Sequence, residues 1–453
     1  MFIGRKKELD EIKSFLSKDS GCMMIYGKRK VGKTTLINNA LKGYDNTVYY
    51  ECIKDSLKAN VDGLVDVLLR NKILPSRIEF ASFQDLFQYL NSLNETFNIV
   101  IDEYPYLKAT NKPETVDSVF QSVIDNSISN IHLFISGSHI SMMRDLLNEK
   151  NALYGRFSHI IQLNELNYID TSEFYTELDA YDKVGLYSVF GGSPFVNEFI
   201  DNTKSLKENI ISNILNPSHS VYNYADNLLV SDFSNVSGAE RIFSALKNGK
   251  KKYSEIEQTL RIEKNGALSK MLKPLLNMEL IVKKNPINRP DDKKKTYYEI
   301  NDNLLRFYYT YVYKNKSALQ VIGAEAFYEE YISDSIITFI SHRFEEICRD
   351  YFSIQVKRAK LKGIRNIGTY YYDDSVNKIN GEFDVVLQRK DSFEFYEAKY
   401  YQSPMSLSDM KKEEIQIRNI YGLNVSKIGF VSIRGFESTP KEYVCISGSE
   451  LYK

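Results

Sequence analysis

Cysteine is scarce in this 453-residue chain, and the four present, Cys22, Cys52, Cys348 and Cys445, are scattered. None are spaced C-x-x-C, so neither a zinc ligand set nor a disulfide framework organises the fold, and reduced, buried thiols are the expectation. Long apolar runs are missing too. The longest, such as CMMIY and NIVI, fall far short of the roughly 20 residues that cross a bilayer. The amino-terminal MFIGRKKELDEI is charged where a signal peptide would be apolar. These absences predict a cytoplasmic protein with no membrane partner. Net charge is absent as well, because Lys plus Arg and Asp plus Glu both total 59, which removes any global pull toward nucleic acid. Locally the balance breaks: residues 241–300 hold 15 Lys or Arg against 7 Asp or Glu.

What is present is ordinary globular composition, 43% hydrophobic and 26% charged, in a chain long enough for about three domains. Residues 23–40, MMIYGKRKVGKTTLINNA, place an apolar strand before a glycine loop and a helical run after it. That is the order of a Walker A phosphate loop. Gly27 and Gly32 let Lys28, Arg29, Lys30 and Val31 curl so that backbone N–H groups face phosphate oxygens, and the helix opening at Lys33 adds its dipole. Lys33 reaches the β- and γ-phosphates of ATP, Thr34 ligates Mg²⁺, and Thr35 completes the contacts. FNIVIDEYPYL (97–107) follows as a Walker B strand, with Asp102 on the Mg²⁺ shell and Glu103 polarising the attacking water. IHLFISGSHISMM (131–143) is a third strand with Ser136 and Ser138 at its carboxyl edge, either a γ-phosphate sensor or a simple turn. In ALYGRFSHIIQL (152–163), Arg156 is a phosphate-sensing arginine or a surface ion-pair partner.

Residues 165–238 carry helical periodicity interrupted by FGGSPFV (190–196), which reads as a helical lid. From 239 to 300 the pattern changes to helices followed by two β-type runs around INRPDDK, the order of a winged helix-turn-helix. Its recognition helix, 266–278, directs Lys270 and Lys273 outward, and its wing carries Lys283, Lys284 and Lys293 to Lys295. DNA phosphates and a docking protein are both suitable partners, and sparse arginine argues against base-specific reading. An aromatic helix within 301–329 packs this domain against the last, 330–453; the first domain is 1–164.

In GEFDVVLQRKDSFEFYEAKYY (381–401) two alternating strands flank a charged turn. A turn centred between Lys390 and Asp391 puts Asp384 opposite Glu397, with Lys399 on the same face. Opposed carboxylates repel unless a cation lies between them, and oxygen ligands suit Mg²⁺ or Mn²⁺. Acid, acid-x-lysine on a hairpin is the metal-nuclease pattern, with a charged strand pair as the alternative. Glu345, at the border of the buried stripe of ISHRFEEICRDYF (340–352), is a candidate third acid or a helix-flank glutamate.

The motifs FIGRKKELDEI, YGKRKVGKT, VIDEYPYL, ISGSHISMM, LYGRF, GGSPF, YYEINDNLLRFYY, RFEEICRDYF, EFDVVL and EAKYY, in this order, resemble the archaeal-type ATPases among the AAA+ and STAND P-loop proteins. The resemblance implies that Gly4, Arg5 and the helix after them lie against adenine, and that the last domain is nuclease-like, with Glu345, Asp384, Glu397 and Lys399 matching its pattern. The fold expected is α/β: a P-loop NTPase parallel sheet with helical lid, a winged helix-turn-helix, and a carboxy-terminal α/β restriction-endonuclease-like domain. The function expected is an ATPase switch coupled to DNA binding and metal-dependent cleavage. The alternative is a nucleotide-dependent regulator or scaffold whose nuclease-like domain is inactive. Oligomeric state is left open.

Overall fold

The computed structural model describes residues 2–227, 236–263, 265–374 and 376–453. Residues 228–235, part of the expected lid, lie outside the described residues, as do Met1, Lys264 and Ser375. The chain forms two compact units. One is residues 1–166 with Ser193–Phe195, and the other is residues 167–192 with 196–453.

In the first unit the strands β1 (Gly21–Tyr26), β2 (Thr47–Glu51), β3 (Phe97–Asp102), β4 (Ile131–Gly137) and β5 (His159–Gln162) pair in the order β2-β3-β4-β1-β5. Every pairing is parallel. A parallel sheet is covered on both faces, which explains why β1, β3 and β4 are apolar without alternation. Met23 and Ile25 pack with Phe15, Leu36 and Ile37 on one face. Cys22 and Met24 pack with Leu64, Phe83 and Phe120 on the other. The carboxyl ends of β1, β3 and β4 carry the glycine loop, Asp102 and Gly137, the edge at which such sheets bind ligands.

In the second unit a small antiparallel sheet, β6 (Lys251–Lys252), β7 (Ile281–Lys284) and β8 (Tyr297–Ile300), is ordered β6-β8-β7. It follows the helices Val236–Leu246, Tyr253–Leu260 and Ala267–Asn277 in the winged-helix manner. A mixed sheet then runs β13-β12-β11-β10-β9, built from β9 (Asn366–Asp374), β10 (Ile379–Gln388), β11 (Phe393–Lys399), β12 (Val425–Ser432) and β13 (Val444–Ser447). The helix Ile336–Lys357 lies on one face, with the Phe352 and Tyr396 rings 4.4 Å apart. Met410 and Ile417 of the helix Leu407–Arg418 pack with Phe395 and Phe430 on the other.

The aromatic segment joins these parts as expected. Tyr309 stacks on Phe243 of the first winged-helix helix at 4.9 Å, while Phe307 meets Phe339 of the long helix at 5.7 Å. Two further attachments were not legible beforehand. The helix Ala180–Phe190, read as part of a lid, stacks Tyr181 on Tyr400 at 4.5 Å, and Tyr168 donates to the Leu451 carbonyl at 2.7 Å. The β7–β8 connection lies along the free edge of β9. Ile287 N–H donates to the Thr369 carbonyl at 2.7 Å, and the Asn288 side chain both donates to the Tyr371 carbonyl at 2.7 Å and accepts from its N–H at 3.0 Å. An uncovered edge strand is a template for unwanted pairing, and this connection caps it.

Asn288→Ala removes both side-chain bonds to the β9 edge, each worth roughly 1 kcal/mol net. The Tyr371 amide is expected to exchange with solvent roughly tenfold faster or more, with Val385 in the interior strand unchanged, as read by residue-resolved hydrogen exchange.

Candidate functional site

The loop after β1 is shaped by two glycines with different duties. A Cβ on Gly27 would stand 2.1 Å from the Leu163 carbonyl oxygen, so only glycine allows this approach. Gly32, at φ 93°, adopts the left-handed conformation that turns the chain into the helix Lys33–Ala40. Without phosphate, the Lys33 ammonium donates to the Gly27 and Lys28 carbonyls, each at 3.0 Å. Thr34 is exposed and its hydroxyl donates to Asp102 at 3.2 Å; Thr35 is exposed beside it. Asp102, only 5% exposed, also accepts from the Tyr49 hydroxyl and from Glu103 N–H at 2.9 Å. Hydroxyl and carboxylate oxygens gathered at the mouth of a phosphate loop are the hard donors that Mg²⁺ takes.

Glu103 occupies the left-handed region at φ 49°, a costly conformation for a residue with a side chain. It turns the carboxylate toward β4, where the Ser138 hydroxyl and N–H donate to one oxygen at 2.8 and 3.1 Å. Ser138 therefore holds the candidate base. Ser136 does not share the edge: it is fully buried within β4, opposite Ile25, because the strand continues one residue past it. Arg156 takes the ion-pair reading, not the sensing one. Its guanidinium donates twice to Asp125, both at 2.9 Å, which commits its planar fork to that carboxylate.

Each basic side chain of the loop reaches a different segment. Lys28 lies 3.9 Å from Glu165, Arg29 donates to the Tyr106 hydroxyl at 3.1 Å, and the Lys30 ammonium sits 4.5 Å above the Phe195 ring. Val31 is buried. Arg5, left-handed like Gly4, donates to the Val31 carbonyl at 3.0 Å and the Asn164 carbonyl at 2.6 Å, clamping the loop to the chain beyond β5. The loop thus offers phosphate its backbone N–H groups while its side chains hold the surroundings. Tyr49, Tyr106 and Phe195 were not foreseen as site residues. The GGSPF motif drew attention to the last, as a helix breaker and as part of the family resemblance, but not as a contact of the phosphate loop.

At the hairpin, Val385 pairs with Tyr396 and Val386 with Phe395, which is the anticipated register, and Asp384 and Glu397 stand one step beyond. Asp384 lies in a bulge of β10 against β9. Burial, then the neighbouring Glu345 carboxylate, push the Asp384 carboxyl up to about 6. Burial also raises Glu397, with Glu413 and Glu345 adding to it and Lys399 opposing. Glu345 thus faces both hairpin acids, while Lys399 bridges Glu397 at 2.7 Å and Glu413 at 3.0 Å. Among the described residues, no three His, Cys, Asp or Glu side chains already converge as a metal cage. Cations fill the gaps instead: Lys250 lies 2.9 Å from Glu382 and 3.9 Å from Asp384.

The wing lysines divide in a way the sequence did not announce. Lys284 is turned inward onto Glu346 at 2.5 Å and onto Glu299, and the Lys295 ammonium lies 3.5 Å above the Tyr371 ring. Both are half-exposed and engaged with other residues of the second unit, Lys284 with acids and Lys295 with an aromatic ring. Burial alone would raise the Glu346 carboxyl, but Arg343, Lys284 and Arg349 outweigh it and hold it well below the usual range. Lys270, Lys273, Lys283, Lys293 and Lys294 remain exposed.

A carboxyl raised by folding binds protons more readily in the folded state, so its contribution to stability falls as pH rises from the unfolded value near 4 through about 6. Asp384→Asn removes that cost. Its gain in melting temperature over wild type is expected to be larger at about pH 7.5 than at about pH 5, as measured by calorimetry of the metal-free protein.

Residues 2–196 match the family described as ATPase domain predominantly from Archaea, and residues 308–415 match one described as Archaea bacterial proteins of unknown function. An uncharacterized protein of Methanocaldococcus jannaschii is 29% identical over 370 residues, spanning 80% of this chain and 79% of its own. A Walker-type ATPase of Pyrococcus abyssi shares the fold, with a TM-score of 0.52 at 16% identity over 68% of this chain and 96% of its own. The ORC2 protein of Aeropyrum pernix, in its ADPNP–ADP complexes, gives a TM-score of 0.43 at 12% identity over 70% of this chain and 95% of its own. No helix among the described residues is long and apolar enough to cross a membrane. The ATPase match begins before Gly4 and ends just past Phe195, enclosing every residue that shapes the phosphate loop and its acids, so this part of the chain is similar to that archaeal ATPase family.

Proposed function

We propose that this ATPase is a switch whose nucleotide state governs a DNA-directed, metal-dependent cleavage centre on the second unit. The observation that supports the reading is that Asp384 and Glu397 lie just beyond the paired residues of one hairpin, that Lys399 bridges Glu397 at 2.7 Å, and that Glu345 is electrostatically close to both acids. The same unit holds a winged helix with exposed Lys270 and Lys273.

For hydrolysis, Lys33 leaves the Gly27 and Lys28 carbonyls for phosphate oxygens, an exchange of neutral acceptors for charged ones that favours bound ATP. Thr34 and Asp102 would hold Mg²⁺, which would supply charge neutralisation to the phosphates. Glu103, released by Ser138, accepts a hydrogen bond from the attacking water and polarises it. The change is passed along the chain itself. Phe195, which carries the Lys30 contact, is bonded directly to Val196 of the second unit.

At the hairpin, Asp384 and Glu397, with Glu345, supply the oxygen donors that Mg²⁺ or Mn²⁺ prefers, and Lys399 steadies a water or the attacked phosphate. When bound, the metal supplies an activated water. A second reading, a nucleotide-dependent regulator with an inactive hairpin, draws support from Lys250 and Lys399, which already balance these acids.

Glu103→Gln is expected to keep ATP affinity and lose at least roughly a hundredfold in phosphate release, whereas Lys33→Ala loses nucleotide binding. Fluorescent-nucleotide titration with a phosphate assay separates the two, and full turnover in Glu103→Gln would remove the assigned role. Replacing Lys270 and Lys273 by Ala should lower the slope of log affinity for duplex DNA against log salt by about 1.8, at roughly 0.9 per phosphate contact. Cleavage of labelled DNA with Mn²⁺, lost in Asp384→Asn while ATP hydrolysis persists, is the direct test; no cleavage of any DNA form favours the regulator.

A further inference from the structure

We propose that Lys250 is a built-in counter-ion for the hairpin acids Glu382 and Asp384, so that the docked winged helix and a divalent cation compete for Asp384. The inference rests on the metal reading of the hairpin and adds how that site is closed.

Lys250 comes from outside the hairpin's own sheet. It lies in the turn between the helix Val236–Leu246 and β6, and β6 is tied to the winged helix by pairing with β8. From there it reaches across a cleft of about 690 Å³, bordered by His342, Glu345, Arg349 and Asp384, to meet Glu382 at 2.9 Å and Asp384 at 3.9 Å. The cleft is wide enough for water and for a nucleotide-sized group, so the ammonium is not sealed in a dry core. Gly249, which precedes it, is left-handed at φ 113°, and a Cβ there would meet nothing within 4 Å.

The contact is not isolated. Lys284 on Glu346 and the Ile287–Asn288 segment on the β9 edge fasten the same winged helix to the same domain. These two attachments help hold Lys250 over the acids. A carboxylate whose charge is balanced by an ammonium attracts a dication less, and an ammonium at this distance repels one directly. Metal uptake and Lys250 withdrawal are therefore coupled: a seated Lys250 weakens metal binding, and bound metal weakens the Lys250 contact by the same factor. An event that lifts the winged helix would open the centre to metal, and metal would loosen the winged helix.

The test uses the full chain without nucleotide and Mn²⁺ as the probe, read by loss of the free-ion signal in electron paramagnetic resonance. Lys250→Met should bind Mn²⁺ roughly tenfold more tightly than wild type, a modest value for a coupling free energy, and Lys250→Arg should stay near wild type. In the double variant with Asp384→Asn the gain should vanish. In wild type, saturating Mn²⁺ should also speed labelling of Lys250 by an amine-reactive reagent several-fold relative to exposed Lys7. Equal Mn²⁺ affinity in wild type and Lys250→Met, lost in Asp384→Asn, would overturn the counter-ion while leaving the metal site standing. Absence of Asp384-dependent Mn²⁺ binding in both proteins would overturn the metal site and the counter-ion together.

Discussion

A carboxylate withdrawn from water must be given donors or it destabilises the fold, and the first unit is arranged around one such group. Asp102 ends the interior strand β3 almost fully buried. It is satisfied by Thr34 from the loop helix, by Tyr49 from β2 and by the amide of Glu103. Those three donors come from three elements, so the strand order that brings β2 beside β3, and β1 within one strand of it, is what makes the acid tolerable. The backbone turn that lets Glu103 donate to Asp102 also throws the Glu103 side chain onto Ser138. Phosphate loop, metal-binding oxygens and candidate base are therefore consequences of one desolvated charge and its partners.

The second unit is organised by charge in another way. Glu346 gathers cations from the wing and from its own helix, and the hairpin acids borrow an ammonium from the winged-helix turn. Buried ion pairs are poor sources of net stability but strong against being half-broken, because a lone partner left inside is costly. Such pairs fix an arrangement more than they strengthen it. A winged helix held this way keeps Lys270 and Lys273 exposed while Lys284 of its wing is already engaged.

Much of this could be read from residues close together in sequence. β1, β3 and β4 declared themselves as uninterrupted apolar runs ending in loop or acid, and the hairpin register followed from the position of its turn, with Val385 paired to Tyr396 and Val386 to Phe395. What escaped depends on distant segments meeting. Nothing near Tyr49 announces that its hydroxyl will find Asp102, since that requires β2 to neighbour β3. Lys284 and Lys295 look like any surface lysines until the acids and rings of the last domain arrive beside them. Arg156 had two local readings, and only the helix Pro113–Asn126, carrying Asp125, decided between them.

The brief excursion of Ser193–Phe195 into the first unit means that the chain crosses between the two bodies three times, after Leu166, Gly192 and Phe195. A single tether allows swivelling and lets a protease separate a pair of domains with one cut. Here the chain makes three connections. Severing the connection at 166 leaves the pieces linked through the short segment on the phosphate loop, and an amino-terminal fragment stopping there lacks the aromatic ring that receives Lys30. The nucleotide-binding body is thus discontinuous in sequence, and its smallest faithful piece runs to Phe195, carrying with it helices that belong to the other half.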